Sequence, residues 1–273
     1  MHGQLRKMAV TLDQPIRYQL RLDEHRVEMA PLIGQQLQLT FSGEINCIAC
    51  NRKTRKSFNQ GYCWPCSQRL AECDICIVRP EKCHFDQNTC RQPEWGEAHC
   101  MQPHIVYLAN ASGLKVGITR ESQLPTRWID QGASQALPLL RVSSRYGSGL
   151  VEILLAQQLS DKTNWRKMLK GTPTPLDLTI ERTRLQQELN DEIHETLAKI
   201  GAHAEWLNSE QIELEYPVQQ HPETVKALNF DKTPDITGQL HGIKGQYLIM
   251  DTGVLNIRKF AGYQISINTP EST

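Results

Sequence analysis

Leu37, Leu39 and Phe41 alternate with polar residues and lead into Ser42-Gly43, a period-two pattern that predicts a half-buried strand ending in a turn. Aliphatic residues then thin out between positions 47 and 100, leaving too few to bury a conventional core. After Pro103, two apolar runs at 105–109 and 114–118 flank Asn110-Ala111-Ser112-Gly113 and predict a β-hairpin. A short helix is expected from about Leu124 to Gln131, because Pro125 suits a first helical turn and Gly132 a helix end. A strand over 137–142 follows. The next helix is expected to start near Ser148, present Leu150, Val151, Leu154, Leu155 and Leu159 on one face, and stop at Gly171.

Residues 173–175 read as a linker. Beyond them Leu185, Leu189, Ile193 and Leu197 recur every four residues before Gly201, the pattern of an amphipathic helix with a glycine cap. Its polar face, with Glu188, Asp191, Glu192 and Glu195, reads as solvated surface. Ile212, Leu214 and Tyr216 then alternate, and residues 242–267 give three strand-like pieces joined by glycine-containing turns. The expected fold class is α+β. It comprises an N-terminal β segment (1–46), a cysteine-rich zinc-binding module (47–103), a small α/β domain (104–172), and an acidic helix with a C-terminal β segment (173–273). The terminal strands are expected to pair in one β domain interrupted by the middle modules.

The 273 residues suit one large or two smaller domains. Thirty basic and thirty acidic side chains cancel, but unevenly: +2 over residues 1–100, +5 over 101–170 and −7 over 171–273. The neutral total therefore does not exclude a nucleic-acid partner for the middle of the chain or a protein partner for the acidic C-terminal third. No run approaches the roughly 18 apolar residues of a membrane helix, and the first ten residues lack the apolar stretch of a secretory signal. A cytoplasmic location without membrane contact is the resulting expectation. In that reducing setting nine cysteines, all between Cys47 and Cys100, point to metal rather than to disulfides.

Cys47-Ile-Ala-Cys50 and Cys63-Trp-Pro-Cys66 are two CxxC pairs separated by twelve residues, the spacing of a tetrahedral four-thiolate zinc site. A second zinc is expected from four of the five remaining cysteines, Cys73, Cys76, Cys83, Cys90 and Cys100, with His84 and His99 as alternative donors. Neither set offers a vacant position for water, so both read as structural. Between the first two pairs, Arg52, Lys53, Arg55 and Lys56 stand with Phe58 and Tyr62, and Trp64 follows. Cations interleaved with aromatics suit phosphate contact and base stacking; the plainer alternative is a solvated loop tip.

His104-Ile-Val-Tyr107-Leu-Ala and Leu114-Lys-Val-Gly117-Ile-Thr-Arg120 resemble the paired motifs of the GIY-YIG nuclease superfamily, followed in similar order by a helix bearing Arg127, a strand, and a helix bearing Glu152. Nearly the whole chain also resembles a bacterial family, the domain of unknown function 2797, that combines the cysteine pattern with YLA…GLKVGITR, PTRWIDQGA and SGLVE. The superfamily resemblance covers about 104–170 and implies metal-dependent phosphodiester hydrolysis. By position, Tyr107 corresponds to the tyrosine that helps activate water, Gly117 to the glycine closing the second motif, Arg127 to the arginine at the scissile phosphate, and Glu152 to the carboxylate that holds a divalent metal, magnesium by its oxygen donor. Lys115 departs from the pattern by occupying the place of the second tyrosine. It either contacts phosphate or marks a domain that binds without cleaving.

Each of these residues has a plainer alternative: Tyr107 as packing, Glu152 as a favourable charge in a helix, Arg127 as an ion-pair partner. Arg120, Arg141, Arg145, Arg166 and Lys167 add to the positive middle segment, Arg120 and Arg145 as phosphate contacts, or else as ordinary solvated charge. Trp128 and Trp165 read as core anchors. The leading functional expectation is a metal-dependent nucleic-acid phosphodiesterase with structural zinc, its choice of DNA or RNA open. A non-catalytic zinc-containing nucleic-acid-binding protein and a protein-interaction scaffold are the alternatives.

Overall fold

The structure is a computed structural model that describes residues 1–159 and 164–268. The chain forms two units. The first comprises Met1–Gln68, Leu169–Gly171 and the chain from Leu214 on; the second comprises Arg69–Met168 and Thr172–Glu213.

The first unit opens with β1 (His2–Thr11), β2 (Arg17–Leu22), β3 (His25–Glu28), β4 (Gln36–Asn46) and the short β5 (Lys53–Thr54). Period-two patterning is clearest in β2, where Tyr18, Leu20 and Leu22 are buried and Arg17, Gln19 and Arg21 turn outward. A short helix, α1 (Trp64–Arg69), follows β5. The second unit then supplies β6 (His104–Asn110), β7 (Leu114–Arg120), β8 (Gln135–Val142), β9 (Ala204–Trp206) and β10 (Ile212–Glu213). Its helices are α2 (Pro93–His99), α3 (Thr126–Asp130), α4 (Arg145–Ala156) and α6 (Leu178–Ala198), with α5 (Trp165–Leu169) at the junction of the sequence segments. The chain returns to the first unit as β11 (Asp235–Lys244), β12 (Tyr247–Met250), β13 (Gly253–Asn256) and β14 (Tyr263–Asn268).

In the first unit the strands form one antiparallel sheet in the order β13-β12-β11-β4-β14-β1-β2-β3, with β5 on β4. The C-terminal strand β14 lies between β1 and β4, which joins the two ends of the chain in one sheet. Phe41, Phe230, Phe260 and Tyr263 form an aromatic cluster in this unit, with neighbouring ring centroids 4.8–6.3 Å apart. Lys244 is buried there, its ammonium donating to Gly171 O at 2.9 Å and lying 5.5 Å from the Tyr216 ring centre. Burial alone pulls its pKa down to about 8.

In the second unit the order is β10-β8-β6-β7, with β9 also on β8. The β6–β7 hairpin pairs Tyr107 with Gly117 and Ala109 with Lys115. Val106, Leu108, Val116 and Leu137 meet Val151 and Leu155 of α4 and Leu185, Leu189, Ile193 and Leu197 of α6 in a single core. The four-residue period of α6 is thus its packing face, and Asp177 caps it by accepting from Thr179 N at 2.9 Å.

Several expected boundaries differ. Helix α4 begins at Arg145, three residues before Ser148, because Ser144 Oγ accepts from Gly147 N at 3.1 Å and starts the helix there. It ends at Ala156, and the expected continuation toward Gly171 passes through 160–163, outside the described residues. The cysteine-rich stretch, expected as one module, is shared: Cys47–Cys66 belong with the sheet of the first unit, Cys73–Cys100 with the second. The acidic helix joins the second unit for the same reason that it is amphipathic: its leucines complete the core beside α4. No helix among the described residues is long and apolar enough to cross a membrane.

Candidate metal centre and active site

The first CxxC pair sits where β4 ends. Cys47 N donates to Arg52 O and Asn51 N to Cys47 O, each at 2.9 Å, closing a tight turn in which Asn51 takes a positive φ of 58°. The second pair enters α1, whose Ser67 N donates to Cys63 O. β5 pairs back onto the end of β4 and brings the two turns together. The four sulfurs of Cys47, Cys50, Cys63 and Cys66 lie within 4.8 Å of one another, and the Cys50 and Cys63 sulfurs are 3.8 Å apart. A tetrahedral zinc with bonds of about 2.3 Å spaces its sulfurs by about 3.8 Å, so the donor set fits that ion in type, number and spacing.

Cys47, Cys63 and Cys66 are buried and Cys50 is exposed. Burial works against the Cys47 thiolate, but N–H groups of Cys63, Cys50 and Ala49 directed at its sulfur prevail and bring its pKa down to about 6. Burial and the neighbouring thiols push Cys66 up to about 12. Thiols crowded this closely favour a shared cation that lets all four ionise.

The basic loop between the pairs is exposed at Arg52, Lys53, Arg55 and Lys56, and Lys53 pairs with Glu44. The Lys56 ammonium lies 5.4 Å from the Phe58 ring centre, and Phe58 meets Trp64 edge-on at 5.2 Å. Trp64, 57% exposed, offers an open aromatic face beside those cations. The same unit holds a cavity of about 360 Å³ lined by Arg6, Lys7, Arg21 and Arg258 together with Asp23, Glu24, Asn59, Gln60 and Tyr62. Arg6 and Lys7 are adjacent, but Arg21 and Arg258 lie far from them in sequence, so no charge run announces the four.

In the second unit Tyr107, Arg127 and Glu152 come together. Tyr107 is fully buried on β6, its ring lying across Gly117 of β7: a Cβ at Gly117 would stand 2.7 Å from Tyr107 Oη. Glycine is required at this position by the close approach of the ring. Tyr107 Oη donates to Gln131 Oε1 at 3.1 Å, and Lys115 Nζ donates to the same oxygen at 2.8 Å. Burial drives the Tyr107 hydroxyl well above its ordinary range; Arg127, hydrogen-bonded to it, opposes this and the Glu152 charge adds to it. Gln131 has no sequence signal beyond its place at the end of α3, and only the fold shows it as the group joining Tyr107 to Lys115.

Arg127 and Glu152 are half-buried, on α3 and α4. Arg145, at the start of α4, feels both charges, but its Nη2 donates to Ile77 O and its backbone N to Cys100 O. It therefore turns toward the second cysteine cluster rather than outward as a phosphate contact. Arg120 is half-buried at the end of β7, and Arg141 pairs with Glu121 at 3.1 Å. Trp128 is buried, whereas Trp165 is half-buried with the Arg166 guanidinium 4.4 Å from its ring centre.

His104, at the start of β6, is buried with Nδ1 against Gln102 O at 2.8 Å. Burial pulls its pKa from 6.5 to about 4, with Arg145 and Arg120 adding to the effect. An unfolded chain protonates this histidine below about 6.5 and the folded chain only below about 4, so acid favours unfolding across that window. Denaturant titrations are expected to lose up to about 3 kcal/mol more in wild type than in His104→Gln as pH falls from 6.5 to 4. Equal slopes in the two proteins would show that His104 is not held neutral.

No curated protein and no solved structure matches the chain. A family model does: it is described as "Protein of unknown function (DUF2797)" and matches residues 34–265, so the chain, with its four-cysteine cluster and its α+β architecture of two antiparallel sheets, belongs to that family.

Proposed function

We propose that the protein is a nucleic-acid phosphodiesterase of GIY-YIG type, in which zinc at Cys47, Cys50, Cys63 and Cys66 has a structural role. The observation that carries this reading is the convergence of Tyr107, Arg127 and Glu152 around the Tyr107–Gly117 pair of the β6–β7 hairpin. Glu152 is a hard oxygen donor on a helix packed into the core, suited to magnesium, which binds through one or two carboxylates and keeps water and phosphate as its other ligands. Such an ion, when bound, stabilises charge on the phosphoryl oxygens.

The protein groups have separate tasks. Arg127, permanently charged, offers a planar donor to the non-bridging oxygens of the phosphate. Tyr107 keeps its proton at neutral pH because burial disfavours the phenolate, so its part is to orient groups by hydrogen bonding rather than to take a proton as a base. Gln131 and Lys115 hold the Tyr107 hydroxyl in place from the other side. The exposed Arg52, Arg55 and Lys56 with Trp64 contribute binding without base specificity.

A non-catalytic nucleic-acid-binding protein is the second reading, favoured by the complete burial of Tyr107 and the near-complete burial of Lys115. Cleavage of labelled single- and double-stranded DNA and RNA, with magnesium and with EDTA, separates the two. Magnesium-dependent products are expected. Salt-dependent binding with no product on any substrate would leave the binding protein, and absence of both would remove nucleic acid from the account.

A further inference from the structure

In the second unit the chain from Ala71 to Gln87 folds as four successive 3₁₀ turns, at Ala71–Cys73, Ile75–Ile77, Pro80–Lys82 and Phe85–Gln87, before α2. Nothing in this stretch forms a sheet or a leucine-rich face. Its inner side instead bounds a cavity of about 20 Å³, room for roughly one water-sized occupant. Cys76, Cys83, Cys90 and Cys100 all line it, along with Asp74 and His84. Cys73 does not.

The exclusion of Cys73 has a local cause. A CxxC knuckle turns both sulfurs to one side, as at Cys47–Cys50. Between Cys73 and Cys76, however, Asp74 is extended, with φ −68° and ψ 155°, and serves as the end of one 3₁₀ turn and the cap of the next. The single tight turn that would align the two sulfurs is thereby broken.

Asp74 and His84 form a close group with Cys76, but both already have partners. Asp74 accepts from Cys76 N at 3.3 Å and pairs with Arg91; His84 places Nδ1 2.8 Å from Thr89 Oγ1 and Nε2 3.6 Å from Asp74. The thiols present the stronger soft-donor set for the remaining space.

Charge supplies an independent indication. Four thiolates around a divalent zinc carry a net charge of −2, which a buried site must balance. Arg145 is mostly buried, lies within electrostatic reach of Cys76 and Cys100, and holds a buried Nε with no hydrogen-bond partner among the described residues. Arg120 also faces Cys100. Buried guanidinium groups are costly without an anion, and an ionised four-thiolate centre supplies one where Arg145 sits.

We propose that Cys76, Cys83, Cys90 and Cys100 bind a second, structural zinc, that Cys73 is not a ligand, and that Arg145 is the positioning residue linking this centre to the start of α4. The link is also steric. Gly149 of α4 packs so closely on the Pro80 turn that a Cβ there would stand 2.4 Å from Pro80 Cβ. The zinc centre thus holds the helix that carries Glu152, and it does so whether or not the chain cleaves nucleic acid.

Zinc content of the purified full chain, measured by mass spectrometry of the metal, is expected to be two per chain. It should fall to one in each of Cys76→Ser, Cys83→Ser, Cys90→Ser and Cys100→Ser, and stay at two in Cys73→Ser. Should the serine variants fail to fold, X-ray absorption on wild type reads the same point: all-sulfur coordination averaging four per zinc is expected, and nitrogen or oxygen in the shell would overturn the ligand set. One zinc per chain in wild type, or loss of zinc in Cys73→Ser, would also overturn it. For Arg145, Arg145→Met is expected to speed zinc release from the second site to a chromogenic chelator by about 10- to 100-fold, leaving the first site's phase unchanged. Two unaltered phases would remove Arg145 from the proposal.

Discussion

Glu152→Ala is expected to lower magnesium-dependent phosphodiester cleavage by at least about 10²- to 10³-fold, the range seen when a group that stabilises transition-state charge is removed. Alanine is the best helix former and Glu152 is only half-buried within α4, so the substitution should leave the fold in place. Nucleic-acid affinity, which on the proposed reading depends on cations elsewhere, should stay within about 2-fold at fixed salt. Arg127→Ala should show a comparable loss of rate. Tyr107→Phe is the more discriminating change, because the ring keeps its packing across Gly117 and against Trp128 while the hydroxyl disappears. A loss of about 10-fold is expected from that hydroxyl's orienting role. Single-turnover cleavage measured beside filter binding checks all three; unchanged cleavage in Glu152→Ala would refute its assignment as metal ligand.

Removing zinc from the first site, by chelation or by Cys63→Ser, is expected to release the segment from 47 to 66 without dissolving the sheet that carries it. The segment has few aliphatic side chains, whereas the sheet buries Leu5, Met8, Leu20, Leu37, Leu39 and Ile265 independently of it. Zinc binding in four-ligand peptide sites is worth roughly 10–16 kcal/mol, comparable with the whole stability of a domain, so the short β5–β4 pairing and the hydrogen bonds from Arg6 to Ile48 O and from Ser57 to Ala261 O are weak restraints beside it. Arg52, Lys53, Arg55 and Lys56 make the segment a ready trypsin substrate once it opens. Tryptic cleavage there should accelerate at least about 10-fold on chelation and reverse when zinc is restored, while the β-sheet circular dichroism persists. A resistant loop in the chelated protein would show that the thiols are structural without metal.

Much of this was legible beforehand because the relevant signals are local. The leucine period of α6, the alternation in β4 and the Asn-Ala-Ser-Gly turn between β6 and β7 each lie within a short window, and backbone geometry converts such periods directly into faces. The first four-cysteine site was equally readable, since each CxxC is a turn in itself. The second cluster was readable only as five candidates for four positions: Cys73 and Cys76 have the same spacing as Cys47 and Cys50, yet Asp74 between them is extended and only Cys76 of the pair lines the cavity. Arg145 looked like surface charge and instead points into the cysteine cluster, because its helix starts three residues earlier than the apolar pattern suggests.

By itself the sequence determined the most strongly periodic elements, the α+β class, the first candidate metal donor set and the family to which the chain belongs. Each of these depends on residue type and near-neighbour spacing. The pairing of the terminal strands was expected, but only the tertiary structure decided that β14 lies between β1 and β4, that the cysteine-rich stretch is divided between two units, and that Gln131 joins Tyr107 to Lys115. These are relations between residues far apart in the chain, and they are selected by which buried surfaces and hydrogen-bonding groups can be satisfied together, a choice that no short window of sequence contains.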